Sequence, residues 1–223
     1  MAYYPAFLDL RDRLALIIGG GEIAERKTVS LLRCGARVHL AAKTLTSSLE
    51  KWKEEGRVRY LGKTYQPSFM DGAFLVMAAT DNPELNRRVS KDAEKRGLLI
   101  NAVDQPEDCS FIVPSLVCRG DLTIAISTSG RSPALAKKIR KELEASYGEE
   151  YESFLILMGK VRAIILQRGR PTEENKVIFQ KIIESSLLDS LKDGNLNRAA
   201  STLGAVLGVA MSADDIRSYI DGE

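Results

Sequence analysis

Gly19, Gly21 and Ala24 stand at the spacing G-x-G-x-x-A, directly after the apolar run Leu14-Ala15-Leu16-Ile17-Ile18 and directly before the charged run Glu22 to Lys27. A buried strand, a tight glycine turn and a helix start in that order suit the pyrophosphate of a dinucleotide. The first glycine permits the turn, the second lets a phosphate approach the backbone, and the small third residue lets helix pack on strand. Free N–H groups at the helix start then receive the phosphates. The same turn can occur in an α/β domain that binds nothing. Its strand–turn–helix setting favours nucleotide binding.

Three further stretches follow apolar runs, where open α/β sheets hold their ligands. Ala42-Lys43-Thr44 occupies the place of the Asp or Glu that reads an NAD ribose. With no acid there, Lys43 suits a 2′-phosphate, backbone groups and Thr44 suit a ribose, and a solvated lysine is the third option. Ala78-Ala79-Thr80-Asp81-Asn82 is small and polar, so a nicotinamide or ribose can approach, with Thr80 or Asp81 as hydrogen-bond partners. Asp81 or Asn82 can also cap the helix that Pro83 opens. The loop Asn101 to Ser110 carries Asp104, a carboxylate at a strand end that can serve as acid or base, or simply be solvated. Cys109 lacks a histidine partner and reads as a packing thiol.

Metal chemistry has little support. The only histidine, His39, lies on a strand-like run, and no C-x-x-C or H-E-x-x-H is present. A local basic cluster is present in Arg119, Arg131, Lys137, Lys138, Arg140 and Lys141. It suits a polycarboxylate, or else a solvated helix face paired with Glu142 and Glu144.

These residues need a frame to position them. Strand-like runs at Arg13–Ile18, Arg37–Ala42, Val58–Leu61, Ala73–Ala79 and Leu98–Ala102 alternate with helical runs at Glu22–Arg33, Thr46–Glu55 and Pro83–Arg96. That alternation predicts a Rossmann-like, doubly wound parallel sheet. Tyr4–Leu10 reads as a lead-in strand. Phe111–Cys118 and Asp121–Ser127 then read as a β-hairpin joined at Arg119-Gly120, followed by a helix from Pro133 to Ser146 with Ser132 as its N-cap. Helical runs follow at 151–168, 173–186, 196–207 and 213–220. The expected organisation is a nucleotide domain over 1–113, a hairpin-plus-helix segment over 114–147 and a helical domain over 148–223. A hairpin with unpaired edges invites a symmetric partner.

Composition narrows the class. The 223 residues carry 32 Lys and Arg against 30 Asp and Glu, which argues against a nucleic-acid or membrane-surface binder. Three cysteines, no signal-peptide pattern and no apolar run long enough to span a bilayer fit a cytoplasmic chain with reduced thiols.

Taken together, Leu10–Arg13, Gly19–Lys27, Ala78–Asp81, Asn101–Asp104, Ser110–Ser115 and Ser132–Ala136 resemble the precorrin-2 dehydrogenases, including the N-terminal half of bifunctional siroheme synthase. The resemblance implies oxidation of precorrin-2 to sirohydrochlorin with NAD as hydride acceptor. In some members it also implies insertion of ferrous iron to give siroheme. It implies a homodimer, with 114–147 as the dimerisation segment, Asp104 as the catalytic aspartate and cofactor contacts at Glu22, Ile23, Lys43, Thr44 and Ala79 to Asp81. It implies no methyltransferase activity, because the sequence stops where that half would begin. Arg119, Arg131, Lys137, Lys138 and Arg140 are then candidates to hold the substrate carboxylates. A non-enzymatic NAD-sensing module is the alternative, and it leaves the Asp104 loop and the basic helix unexplained. A dehydrogenase of small hydroxy acids ranks lower, for want of a His/Arg pair.

Overall fold

The computed structural model describes residues 3–222. The chain divides into two compact units, Met1–Val113 and Pro114–Glu223.

The first unit is a five-stranded parallel sheet in the order β3-β2-β1-β4-β5. Its strands are β1 (Leu14–Ile18), β2 (Arg37–Ala41), β3 (Val58–Gly62), β4 (Leu75–Ala78) and β5 (Leu99–Ala102). Helices α1 (Glu22–Arg33), α2 (Ser47–Glu54) and α3 (Pro83–Lys95) connect them. Strands β1 and β4 are buried along their whole length, as expected of a sheet covered on both faces. Alternate residues divide between two cores. Ala15, Ile17, Leu40, Leu75 and Met77 share one with Ala24 and Leu31 of α1 and Leu49 of α2. Leu14, Leu16, Ile18, Val76, Ala78 and Ile100 share the other with Val89 and Ala93 of α3.

Chain order runs outward one way from β1 to β3 and then the other way through β4 and β5. The switch point therefore lies between the C-terminal ends of β1 and β4, which is where such sheets bind ligands.

The second unit opens with the antiparallel hairpin β6 (Ser115–Arg119) and β7 (Leu122–Ile126). Five further helices follow α4 (Pro133–Ser146): α5 (Glu150–Gln167), α6 (Thr172–Ile183), α7 (Leu187–Lys192), α8 (Leu196–Leu207) and α9 (Ala213–Asp221). Leu157, Val161 and Ile165 form a buried i, i+4, i+8 stripe on α5. They pack with Ile182, Leu187, Leu203 and Ile216. Side-chain caps define the helix starts: Ser132 accepts from Leu135 N, Asn195 from Arg198 N, and Ser212 forms a capping box with Asp215. Among the described residues, no helix is long and apolar enough to cross a membrane.

Three sequence expectations are corrected. The segment Tyr4–Leu10 is not a strand: it finds no sheet partner among the described residues, Tyr4 and Phe7 are exposed, and within the segment only Leu10 reaches the core. The first hairpin strand begins at Ser115 rather than Phe111, since Pro114 has no N–H to give a ladder. The helix expected over 173–186 ends at Ile183, and a separate short helix, α7, follows.

Candidate active site

The turn after β1 is held from three sides. Gly19 N donates to Ala41 O of β2 over 2.9 Å, Ala79 N donates to Ile18 O over 2.7 Å, and Thr46 N donates to Gly20 O over 3.0 Å. Gly19 has φ +133°, a backbone state that side chains rarely adopt. A Cβ there would lie 2.1 Å from Ala79 O, and one on Gly20 would lie 2.0 Å from Thr44 O. The loops after β2 and β4 therefore close against the glycine turn at van der Waals distance.

Gly21 differs from both. An added Cβ would meet nothing within 4 Å, and its φ is an ordinary −84°. It is the N-cap of α1, with no side chain capping that helix end. This helix start thus has neither a capping side chain nor a side chain at its N-cap position. This cradle fits a pyrophosphate, through backbone N–H groups and the helix dipole.

Glu22 and Ile23 are exposed at the helix start, and buried Ala24 packs under the turn. Lys43 and Thr44 are exposed beyond β2. Glu25 of α1 accepts hydrogen bonds from the hydroxyls of Thr46 and Ser48, which hold its carboxyl below the usual range. A negative charge therefore lies at the loop after β2, although sequence reasoning found no acid there. It is supplied from α1, at no sequence offset that marks it.

At the end of β4, Thr80 is committed internally. Its hydroxyl donates to Asn86 Oδ1 over 2.7 Å, and Asn86 Nδ2 donates back to Thr80 O over 3.0 Å. Asn86 is 3% exposed, on the buried face of α3. A polar residue in that apolar stripe was the available signal, and sequence reasoning missed it. Asn82, not Asp81, caps α3 through Leu85 N. Asp81 stays exposed with no partner among the described residues.

Asp104 follows β5 by two residues. It is exposed, and it makes no hydrogen bond or ion pair among the described residues. Its φ of +59° is left-handed, one of three such non-glycine residues among those described. That conformation costs about 1–2 kcal/mol outside glycine, somewhat less for Asp.

The flanking residues are tightly held. Val103 N donates to Ala78 O over 2.9 Å, and Gln105 Nε2 donates to Pro83 O over 3.0 Å. Cys109 Sγ lies 3.2 Å from both Ala102 O and Gln105 O and accepts from Ala102 N. Burial pushes this thiol above the usual range, which suits a packing group rather than a nucleophile. Lys27 of α1 donates to Asn101 Oδ1, and Asn101 Nδ2 donates to Phe111 O. Burial lowers the Lys27 pKa.

In the second unit the basic residues separate into two groups. Arg119 was expected among substrate cations, but it is committed within the unit. It donates to Cys118 O and Glu144 O and faces Glu149 across 3.3 Å. Arg140, half-buried, pairs with Glu144 one turn on. Arg131 and Lys137 are exposed, with no side-chain partner among the described residues. Lys138 makes only an exposed 3.7 Å pair with Glu142, which is worth little.

Two family models match the chain. Residues 6–115 match the family model described as "Putative NAD(P)-binding", and residues 119–146 match the model of the sirohaem biosynthesis protein central domain. The siroheme synthase of Sodalis glossinidius (strain morsitans) is 38% identical over 207 residues, 93% of this chain. This chain is similar to the siroheme synthases over less than half of their length. The siroheme synthase of Methylobacillus flagellatus is 36% identical over the same length. The chain spans 44% of each of these two relatives. The solved structure of SirC, a precorrin-2 dehydrogenase, superposes with a TM-score of 0.77 at 26% identity, over 92% of this chain and all of that one. The first of the two family models describes an NAD(P)-binding domain, and the open face at Gly21 lies within the part it matches.

Proposed function

We propose that this chain oxidises precorrin-2 to sirohydrochlorin, with NAD as the acceptor. The observation that carries the proposal is Asp104: an unpaired, exposed carboxylate in a left-handed backbone, two residues beyond a strand of the sheet whose switch point holds the glycine cradle. The structural likeness to SirC along its whole length supports the same reading.

Bound NAD supplies the hydride acceptor. Gly21 and the N–H groups of Glu22, Ile23 and Ala24 would hold its pyrophosphate, and the backbone at Ala79 and Thr80 would receive its nicotinamide end. Lys43 and Thr44, exposed beyond β2, would hold its adenosine ribose. When the hydride leaves the macrocycle, a proton leaves as well, and Asp104 accepts it. With no counter-ion among the described residues, this carboxylate is open to a proton or a pyrrole N–H. Arg131, Lys137 and Lys138 are the cations offered to the substrate carboxylates. In iron insertion, the second activity implied by the resemblance, the same carboxylate would receive the pyrrole protons and ferrous iron would be substrate. The unpaired edges of the β6–β7 hairpin are the surface assigned to a second copy of the chain.

The test is anaerobic incubation of the purified chain with precorrin-2, with and without NAD, followed by its visible spectrum. Sirohydrochlorin formed only with NAD supports the proposal. NAD binding without any turnover would favour the sensing module instead.

A further inference from the structure

We propose that Gln105 is the positioning residue that holds Asp104 in its working conformation; this rests on the role given to Asp104 above. Gln105 is 7% exposed, and its side chain turns inward while that of its neighbour faces solvent. Its Nε2 donates to Pro83 O, the first carbonyl of α3. Its own carbonyl accepts from Asp108 N over 3.0 Å and lies 3.2 Å from the Cys109 thiol. Residue 103 is pinned to β4 on the other side, through Ala78 O. Asp104 is thus the one unanchored residue between two anchors, and the chain crosses it at φ +59°.

Two unfavourable features sit side by side here. The Asp104 backbone is strained, and Gln105 Oε1 is buried with no hydrogen-bond partner among the described residues. Neither is needed to close the sheet, since β5 has already ended at Ala102. A loop free to relax would turn residue 105 outward and return residue 104 to an ordinary φ. The inward amide prevents this, and the geometry it imposes leaves Asp104 exposed. Gln105 acts through Asp104 and touches no reacting atom.

The experiment is a double-mutant cycle on the full chain, with Gln105→Met, Asp104→Asn and their combination. Gln105→Met keeps the volume and removes the amide. Gln105→Asn, which keeps the amide but falls short of Pro83 O, is the second variant if the first does not fold. The expected result is a fall in kcat of about 10-fold to 100-fold with KM for NAD unchanged, and no further fall when Asp104 is already Asn. A purely structural role would lower the rate equally in both backgrounds, and that result, or an unchanged kcat, would overturn the proposal. The one-bond Cα–Hα coupling of residue 104, which reports the sign of φ, is measured on the same variants without any substrate. Loss of the left-handed value in Gln105→Met is expected, and its retention overturns the proposal. If the parent chain turns over no precorrin-2, the catalytic reading fails, while the coupling still decides whether Gln105 sets this backbone.

Discussion

A Cβ placed on Gly19 would lie 2.1 Å from the carbonyl oxygen of Ala79, so the turn after β1 and the end of β4 meet with no room for a methyl group. Two residues on, Gly21 has nothing within 4 Å of the same added atom. The two glycines therefore differ: Gly19 is required by the fold, while Gly21 leaves open the face where the proposed cofactor would bind.

Substituting them separates the two roles. Gly19→Ala meets both a backbone oxygen and a disfavoured φ, and is expected to destabilise the chain by about 2 kcal/mol or more. Gly21→Ala is expected to keep its melting temperature within about 2 °C while weakening NAD binding by about 10-fold or more. Thermal unfolding alongside NAD titration checks both. Equal losses of stability at the two positions would contradict the assignment.

Asp104→Asn is expected to lower turnover by about 100-fold or more while leaving NAD binding and stability unchanged. Asparagine tolerates the left-handed backbone, so the substitution removes the charge without disturbing the loop. Steady-state kinetics with a parallel NAD titration reads this directly. Turnover close to that of the parent would remove Asp104 from the mechanism.

The basic residues divide by their partners. Charge reversal at Arg131 or Lys137 is expected to raise KM for the polycarboxylate about 10-fold, and more steeply at low salt, with folding unaffected. Arg119→Ala is expected to act on stability instead, since its guanidinium is shared between two carbonyls and Glu149. Measuring KM against ionic strength for each variant distinguishes the groups.

Cys109 supplies a pH-dependent readout. Its thiol is held in the neutral form by burial, so its folded pKa lies above that of a free thiol. Any stability tied to that shift is present below the free-thiol pKa and is lost as pH rises through the folded value. Labelling of the native chain with a thiol reagent should modify exposed Cys34 first and Cys109 last, with Cys109 reacting only at higher pH than a free thiol. Mass mapping of the labelled peptides checks the order, and early modification of Cys109 would contradict the packing described for it.

Much of the fold was legible because periodicity and punctuation agree. Helix α1 spans Glu22–Arg33 in both readings, since a glycine turn fixes its start and Gly35 takes the left-handed turn after its end. Ser132 and Pro133 mark the start of α4 in the same way. Tyr4–Leu10 misled because its residues suit a strand while no neighbour offers a ladder. The glycine turn and the types of the candidate residues could also be read. Their partners could not. Asn86 on Thr80, Glu25 on Thr46 and Ser48, Glu149 facing Arg119 and Gln105 under Pro83 are contacts set by tertiary placement, and no sequence offset encodes them. The left-handed backbone of Asp104 was likewise invisible, because aspartate occupies ordinary φ values far more often.

The most direct measurement is the stoichiometry of one anaerobic turnover, with NADH absorbance and sirohydrochlorin absorbance recorded on the same sample of chain, precorrin-2 and NAD. The account predicts that the two products rise together, one for one, and that Asp104→Asn slows both equally. Sirohydrochlorin appearing without NADH, or no reaction in a sample that binds NAD, would contradict it.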